Sequence, residues 1–173
     1  MKILLRLVLV ISVVTVSQSI MAQKTLKMAH INMEKLIQSM PEYDSLTVTI
    51  QKEAKALEAE LESLQVEFRR KFEDYTTNRD KWTELVRQSR EEELSTMSQN
   101  VEKFRTTAEQ SVQQEQARLL QPILEKANKA VDEVVKEQGI TYVLNEATII
   151  SKSADSHDIL PLVQKKLGIK SSN

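Results

Sequence analysis

The sequence predicts an α+β fold, mainly α, in which a long helical hairpin projects from a small β-containing body. Three observations carry this. The chain is 28% charged and 4% aromatic, with two Gly and three Pro in 173 residues. Extended solvated helices have that composition, because helix interiors exclude Gly and Pro while wet faces carry Lys, Arg and Glu. An apolar residue recurs every three or four positions from Leu46 to Tyr75, which is one face of a helix. Runs rich in apolar, β-branched and aromatic residues stand at the two ends of the mature chain, Leu26 to Ile31, Ile140 to Asn145 and Thr148 to Ser151, and read as strands.

The first residues form a separate unit. Lys2 and Arg6 precede an apolar run from Leu7 to Val16, then polar residues and Ile20-Met21-Ala22. A basic start, a short apolar segment and a small residue at the cut read as a secretory signal peptide, 1–22, cleaved after Ala22. The run is shorter than the roughly 20 residues a membrane span needs, so the mature chain is expected to be exported without a transmembrane helix. Cys is absent, which suits an oxidising compartment and excludes a disulfide framework. Formal charge is −1 overall, and without Lys2 and Arg6 it is −3. That balance argues against nucleic acid as a partner.

Each later element has its own signal. Asn32 can cap a brief helix, Met33 to Ser39, and Pro41 suits the first turn of the next one. The face Leu46, Ile50, Ala54, Leu57, Leu61, Leu64, Phe68, Phe72, Tyr75 runs near the coiled-coil period. Thr76 to Asp80 breaks the pattern and reads as the tip. The return helix carries Trp82, Val86, Leu94, Met97, Val101, Phe104, Ala108 and Val112, with a seam interrupted at Arg90 and at Gln113 to Gln116. Pro122 is expected to kink it. Beyond Pro122 the apolar stripe widens through Ile123, Leu124, Ala127, Ala130, Val131, Val134 and Val135, so the helix there enters the body. Gly139 ends it. Two strands in a hairpin follow, then a polar loop, Ser153 to His157, and a closing helix from Ile159 to Leu167 with Pro161 in its first turn. The body is thus expected at 23–41 and 121–173, and the arm at 42–120.

No catalytic constellation, metal-ligand spacing or phosphate-cradling loop is present, so no cofactor is expected and the chain reads as a non-enzyme. His30 and His157 are the only histidines, and structural or solvated roles suit them better than metal ligation. The many Glu residues lie on helix faces beside Lys and Arg, where solvation explains them. Four of the seven aromatic residues, Phe68, Phe72, Tyr75 and Trp82, flank the proposed tip. Phe68 and Phe72 fit best as a zip of the distal hairpin. Tyr75 and Trp82 are equally suited to meeting an apolar partner.

These residues also match a known pattern. KMAHINMEKLIQSMPEY, from Lys27 to Tyr43, resembles the N-terminal signature of the OmpH/Skp family of periplasmic chaperones. GITYVLNEATIISKSADSHDILPLVQKKL, from Gly139 to Leu167, is similar to the family's C-terminal half of the body, and QPILEKANKAVDEV to its kinked helix. The resemblance spans Leu26 to Leu167. It implies a periplasmic homotrimer whose strands build a small β-barrel body, with three arms enclosing a cavity that holds unfolded outer-membrane proteins without ATP. Closing an otherwise exposed sheet edge by oligomerisation is physically sound on its own. Leu26, Met28, Ile31, Met33, Tyr142, Leu144 and Ile149 are then candidate assembly residues, and Phe68, Phe72, Tyr75 and Trp82 candidate client contacts.

The resemblance has two departures. The best-known members are strongly basic and attract acidic clients and lipopolysaccharide; a chain at −3 lacks that field, so no lipopolysaccharide site is carried over, although work near a membrane surface fits the family. Leu160-Pro161 also stands where many members have a capping Thr. The alternative reading is an exported coiled-coil structural or adaptor protein that binds one envelope partner through its tip.

Overall fold

The computed structural model describes residues 26–169; the expected signal segment lies outside them. The order is β1 (Met28–Ile31), α1 (Met33–Gln38), α2 (Pro41–Asn78), a 3-10 turn (Arg79–Lys81), α3 (Glu84–Gln138), β2 (Tyr142–Asn145), a second 3-10 turn (Glu146–Thr148) and α4 (Leu160–Lys166). The protein is mainly helical with one small parallel sheet of two strands.

The local signals act where expected. Asn32 Oδ1 accepts from the Lys35 amide at 2.9 Å and starts α1. Pro41 opens α2. Pro161 lies in the first turn of α4, whose N-cap Ile159 supplies no side-chain bond; Asp158 Oδ1 instead accepts from the Leu160 amide at 2.9 Å. Gly139 ends α3 at φ 61°, a left-handed conformation that costs a residue with Cβ about 1–2 kcal/mol. A Cβ there would meet no atom within 4 Å, so the backbone alone sets the penalty. Gly139→Ala is therefore expected to lose about 1 kcal/mol in thermal melts, and Gly139→Asn less, since Asn tolerates this conformation.

The arm is longer and the tip later than the pattern suggested. α2 continues through Thr76 and Thr77 to Asn78, and the chain reverses over Arg79 to Thr83. Thr83 Oγ1 accepts from the Val86 amide to begin α3. Trp82 therefore belongs to the turn, not to the return helix. α3 runs through Pro122.

The sheet corrects one expectation. Thr148 to Ser151 does not pair with β2 as a hairpin. Asn145 Oδ1 accepts from the Ala147 amide at 3.3 Å, the Thr148 hydroxyl donates to the Asn145 carbonyl at 2.8 Å, and the Ile149 amide donates to the Glu146 carbonyl at 3.1 Å. This turn engages the groups that an antiparallel ladder would use. β2 pairs instead with β1, in parallel, with Met28 opposite Tyr142 and Ile31 opposite Asn145. Parallel neighbours need a long crossover, and here the whole arm is that crossover. On its other edge β1 meets the segment before α4: the His30 amide donates to the His157 carbonyl at 2.9 Å, and the Ile159 amide to the His30 carbonyl at 3.1 Å. β1 is thus the central strand and β2 an outer one.

The core lies between the sheet and the helices of the body. Ala29 and Ile31 point inward from β1 and pack with Leu36, Met40, Ile123, Ala127, Val134, Ile159 and Val163. Leu46 is the only buried residue of α2. Outward along the arm the seam is half-buried, with Leu94 the only buried residue of α3 before Ile123.

Candidate functional site

Two surfaces stand out, the outer face of the sheet and the tip of the arm. Side chains alternate across a strand, so Met28 and His30 share one face of β1 with Tyr142 and Leu144 of β2. Met28, Tyr142 and Leu144 are exposed on that face, as is Leu26 just before it. Ile150, at a bend just after the second 3-10 turn, is 105% exposed. The remaining candidate assembly residues are placed differently. Ile31 is 2% exposed, within the core of its own chain. Met33 packs partly on that core, and Ile149 is half-buried.

His30 is covered, unlike its neighbours on the outer face. Its Nε2 lies 3.0 Å from the Ser156 hydroxyl, and its Nδ1 has no partner among the described residues. Beside it, Glu146 ties the segment after β2 to the start of α1. Lys152 pairs with its carboxylate, and Asn32 Nδ2 donates to Oε2 at 3.1 Å. These two bonds, the lysine's first, hold the Glu146 carboxyl below the usual carboxylate range. A depressed value in the folded chain stabilises the fold above the ordinary carboxylate pKa, and that contribution is lost as pH falls through the depressed value. In an NMR titration the Asn32 side-chain amide should therefore shift only in the acid range. Glu146→Gln should abolish that transition.

At the tip, aromatic and charged groups lock the turn. Tyr75 and Trp82 rings lie 6.1 Å apart at 50°, and the Arg90 guanidinium sits 5.9 Å from the Trp82 ring centre, within cation–π range. The Tyr75 hydroxyl donates to Glu91, which raises the phenol above its ordinary pKa. Lys71 bonds Glu93 across the hairpin, and Arg90 joins the same carboxylate at 2.7 Å. Phe68 and Phe72 stack along α2 with centres 6.1 Å apart, and Phe72 stays half exposed. Tyr75 and Trp82 are half-buried by each other and by the turn. Leu85, 77% exposed, and Val86 are the open apolar residues at this end. Leu85 was not singled out by sequence because it falls off the helical period, which is the one signal that could have marked it as solvent-facing.

Between the arm helices, Ala54 and Ala108 leave a gap of about 380 Å³ that Leu57, Leu61 and Val112 also line. Among the described residues no His, Cys, Asp and Glu side chains converge to hold a metal ion, and no helix is long and apolar enough to cross a membrane.

The architecture has relatives. A crystal structure of a protein from Caulobacter crescentus CB15, assigned as an OmpH-like outer membrane chaperone, superposes with a TM-score of 0.72 over 90% of this chain and 93% of that one, at 11% identity. At that identity the likeness speaks for the fold. No curated protein matches the sequence. The profile of the family described as outer membrane protein (OmpH-like) matches residues 27–167, which include β1, the whole arm, β2 and α4. The chain therefore belongs to the OmpH-like family.

Proposed function

We propose that the protein is an exported, ATP-independent holdase chaperone of the periplasm, which assembles as a homotrimer and shelters unfolded outer-membrane proteins between its arms. The observation that carries this reading is the uncovered apolar outer face of the sheet at the root of a long polar arm. Met28, Tyr142 and Leu144 line that face, and β2 pairs only with β1 among the described residues. Exposed apolar strands with an open edge invite pairing with another copy. Three copies closing head to tail would cover the edges and set three arms around one space. The Ile149 to Ser151 segment, with Ile150 fully exposed, is the stretch offered to a neighbouring chain. Ile31 then supports this assembly from inside, by holding β1 in place. The work proposed is binding without chemistry.

Sedimentation and aggregation assays test this together. The mature chain should sediment as a trimer and keep a denatured outer-membrane β-barrel protein soluble on dilution, with no nucleotide present. A monomer that leaves aggregation unchanged would overturn the reading.

The adaptor alternative has one observation in its favour, the exposed Leu85 and Val86 beside Trp82. Leu85→Ser with Val86→Ser distinguishes the two. A holdase with many weak contacts should lose about two-fold or less of its aggregation suppression, whereas an adaptor loses its single partner, because a few apolar anchors carry most of an interface's affinity.

A further inference from the structure

The seam of the arm carries one alanine on each helix, Ala54 on α2 and Ala108 on α3, and the two lie at one level. Elsewhere on the seam the apolar side chains are larger. Here the small ones leave the groove of about 380 Å³, at the low end of ligand-pocket size, about 300–1,000 Å³. Leu57, Leu61 and Val112 line it and stay partly exposed, so its wall is apolar and meets water. Covering such a wall with another apolar group is favourable.

The charge at this level has one prevailing sign. Glu53 meets the Ser111 hydroxyl at 3.5 Å, and Lys71 pairs with Glu93, which sets residues 53–67 of α2 beside 97–111 of α3. Over that stretch seven glutamates stand against Lys55, Lys103 and Arg105, a net charge of −4. From 68 to 96, around the tip, seven acidic residues balance seven basic ones. The negative charge of the arm is therefore concentrated beside the groove. At the rim, Arg105 is held by Glu102 at 2.8 Å. Glu58 and Glu109, exposed on the same rim, have no cationic partner among the described residues. An apolar slot between two unpaired carboxylates complements an apolar side chain flanked by cations, and like charges disfavour an acidic segment.

We propose that this groove is a client subsite that takes unfolded polypeptide segments carrying a large apolar side chain beside Lys or Arg, and disfavours acidic segments. That the occupant is unfolded rests on the holdase reading; its charge rests on the groove. Exposed charge pairs are weak singly, so selectivity comes from several acting together and fades as salt screens them. Clients are then ranked by the charge of their apolar segments as well as by apolar content.

Dye-labelled unstructured peptides built on Gly and Ser supply the probes. One carries Leu and Lys, a second Leu and Glu, and a third Lys with Ser in place of Leu. Fluorescence anisotropy with the full mature chain should show the Leu–Lys peptide binding about tenfold tighter than the Leu–Glu peptide, the effect of two exposed charge pairs. High salt should reduce that ratio to about two-fold. The Lys–Ser peptide should bind weakly, because the groove supplies the apolar half of the contact. Glu58→Gln with Glu109→Gln should weaken the Leu–Lys peptide and tighten the Leu–Glu peptide, opposite shifts that misfolding does not produce. Ala54→Leu with Ala108→Leu fills the groove with good helix formers and should weaken the Leu–Lys peptide about five-fold. Glu73→Gln with Glu92→Gln, near the tip, should change neither peptide. Equal affinity for the two Leu peptides, tight binding of the Lys–Ser peptide, parallel shifts in the Glu58/Glu109 variant, or no loss on filling the groove would each overturn the subsite. Suppression of aggregation of a denatured outer-membrane β-barrel protein is measured on the same samples. A parent that suppresses aggregation yet binds both Leu peptides alike loses the subsite and keeps the holdase reading. A parent that selects the Leu–Lys peptide but leaves aggregation unchanged keeps the groove's preference and loses that reading.

Discussion

Ile31→Asp is expected to destabilise the chain by on the order of 4 kcal/mol or more, a large share of the stability of an ordinary domain. Ile31 is 2% exposed and packs in the cluster formed by Leu36, Met40, Ile123 and Ile159. Aspartate would forfeit the aliphatic burial and place a carboxyl where no hydrogen-bond donor awaits it. β1 would lose its hold on both neighbours, β2 and the segment before α4. Thermal unfolding followed by circular dichroism should show a markedly lower midpoint, and Ile31→Val a loss of about 1 kcal/mol. The damage lies within one chain, so the difference between variant and parent should not depend on protein concentration, whereas damage to a contact between chains would. A variant that melts like the parent and changes only its mass in sedimentation would put Ile31 in an interface instead.

How much of this was legible beforehand depends on how local each signal is. Asn32, Pro41 and Gly139 act on the backbone next to them, and each marked a boundary that the structure shows. The helical period from Leu46 to Tyr75 gave the arm, because a solvated hairpin repeats one simple environment. The facing of β1 was not legible. Met28-Ala29-His30-Ile31 has no polar–apolar alternation, so nothing in it tells Met28, which faces out, from Ile31, which faces in. His30 is buried only because a loop more than 120 residues later folds over it, with Ser156 at its ring and the His157 carbonyl on its amide. The pairing of β2 was also non-local. Thr148 to Ser151 has strand-like composition, but Asn145 at its doorstep prefers a local turn; that the first strand finds its partner at the far end of the chain was legible, because only helix lies between, whereas the parallel register was not. At the tip, the aromatic cluster was visible as composition, whereas the Tyr75–Glu91 and Trp82–Arg90 contacts required the two helices to be in register.

The outer face of the sheet gives the sharpest contrast with Ile31. Tyr142→Asp with Leu144→Asp leaves the chain's own core untouched, since both side chains project from the exposed face of β2. The inward residue between them, Val143, still packs against the body. The helical signal of the arm should persist. If this face is where copies meet, each substitution replaces buried apolar area with a carboxylate and, at about 2 kcal/mol apiece, the pair should weaken association roughly 1000-fold. Two like charges on adjacent copies would add repulsion that weakens with salt. Sedimentation equilibrium should then show monomers at concentrations where the parent, on the proposed reading, is trimeric, and high salt should restore only part of the loss. A holdase whose cavity exists only between three arms should lose aggregation suppression in step with the trimer. If the doubly substituted chain stayed trimeric, the contact would have to lie elsewhere on the body. If it became monomeric yet protected clients fully, a single arm would be the working unit and the cavity between arms would be dispensable.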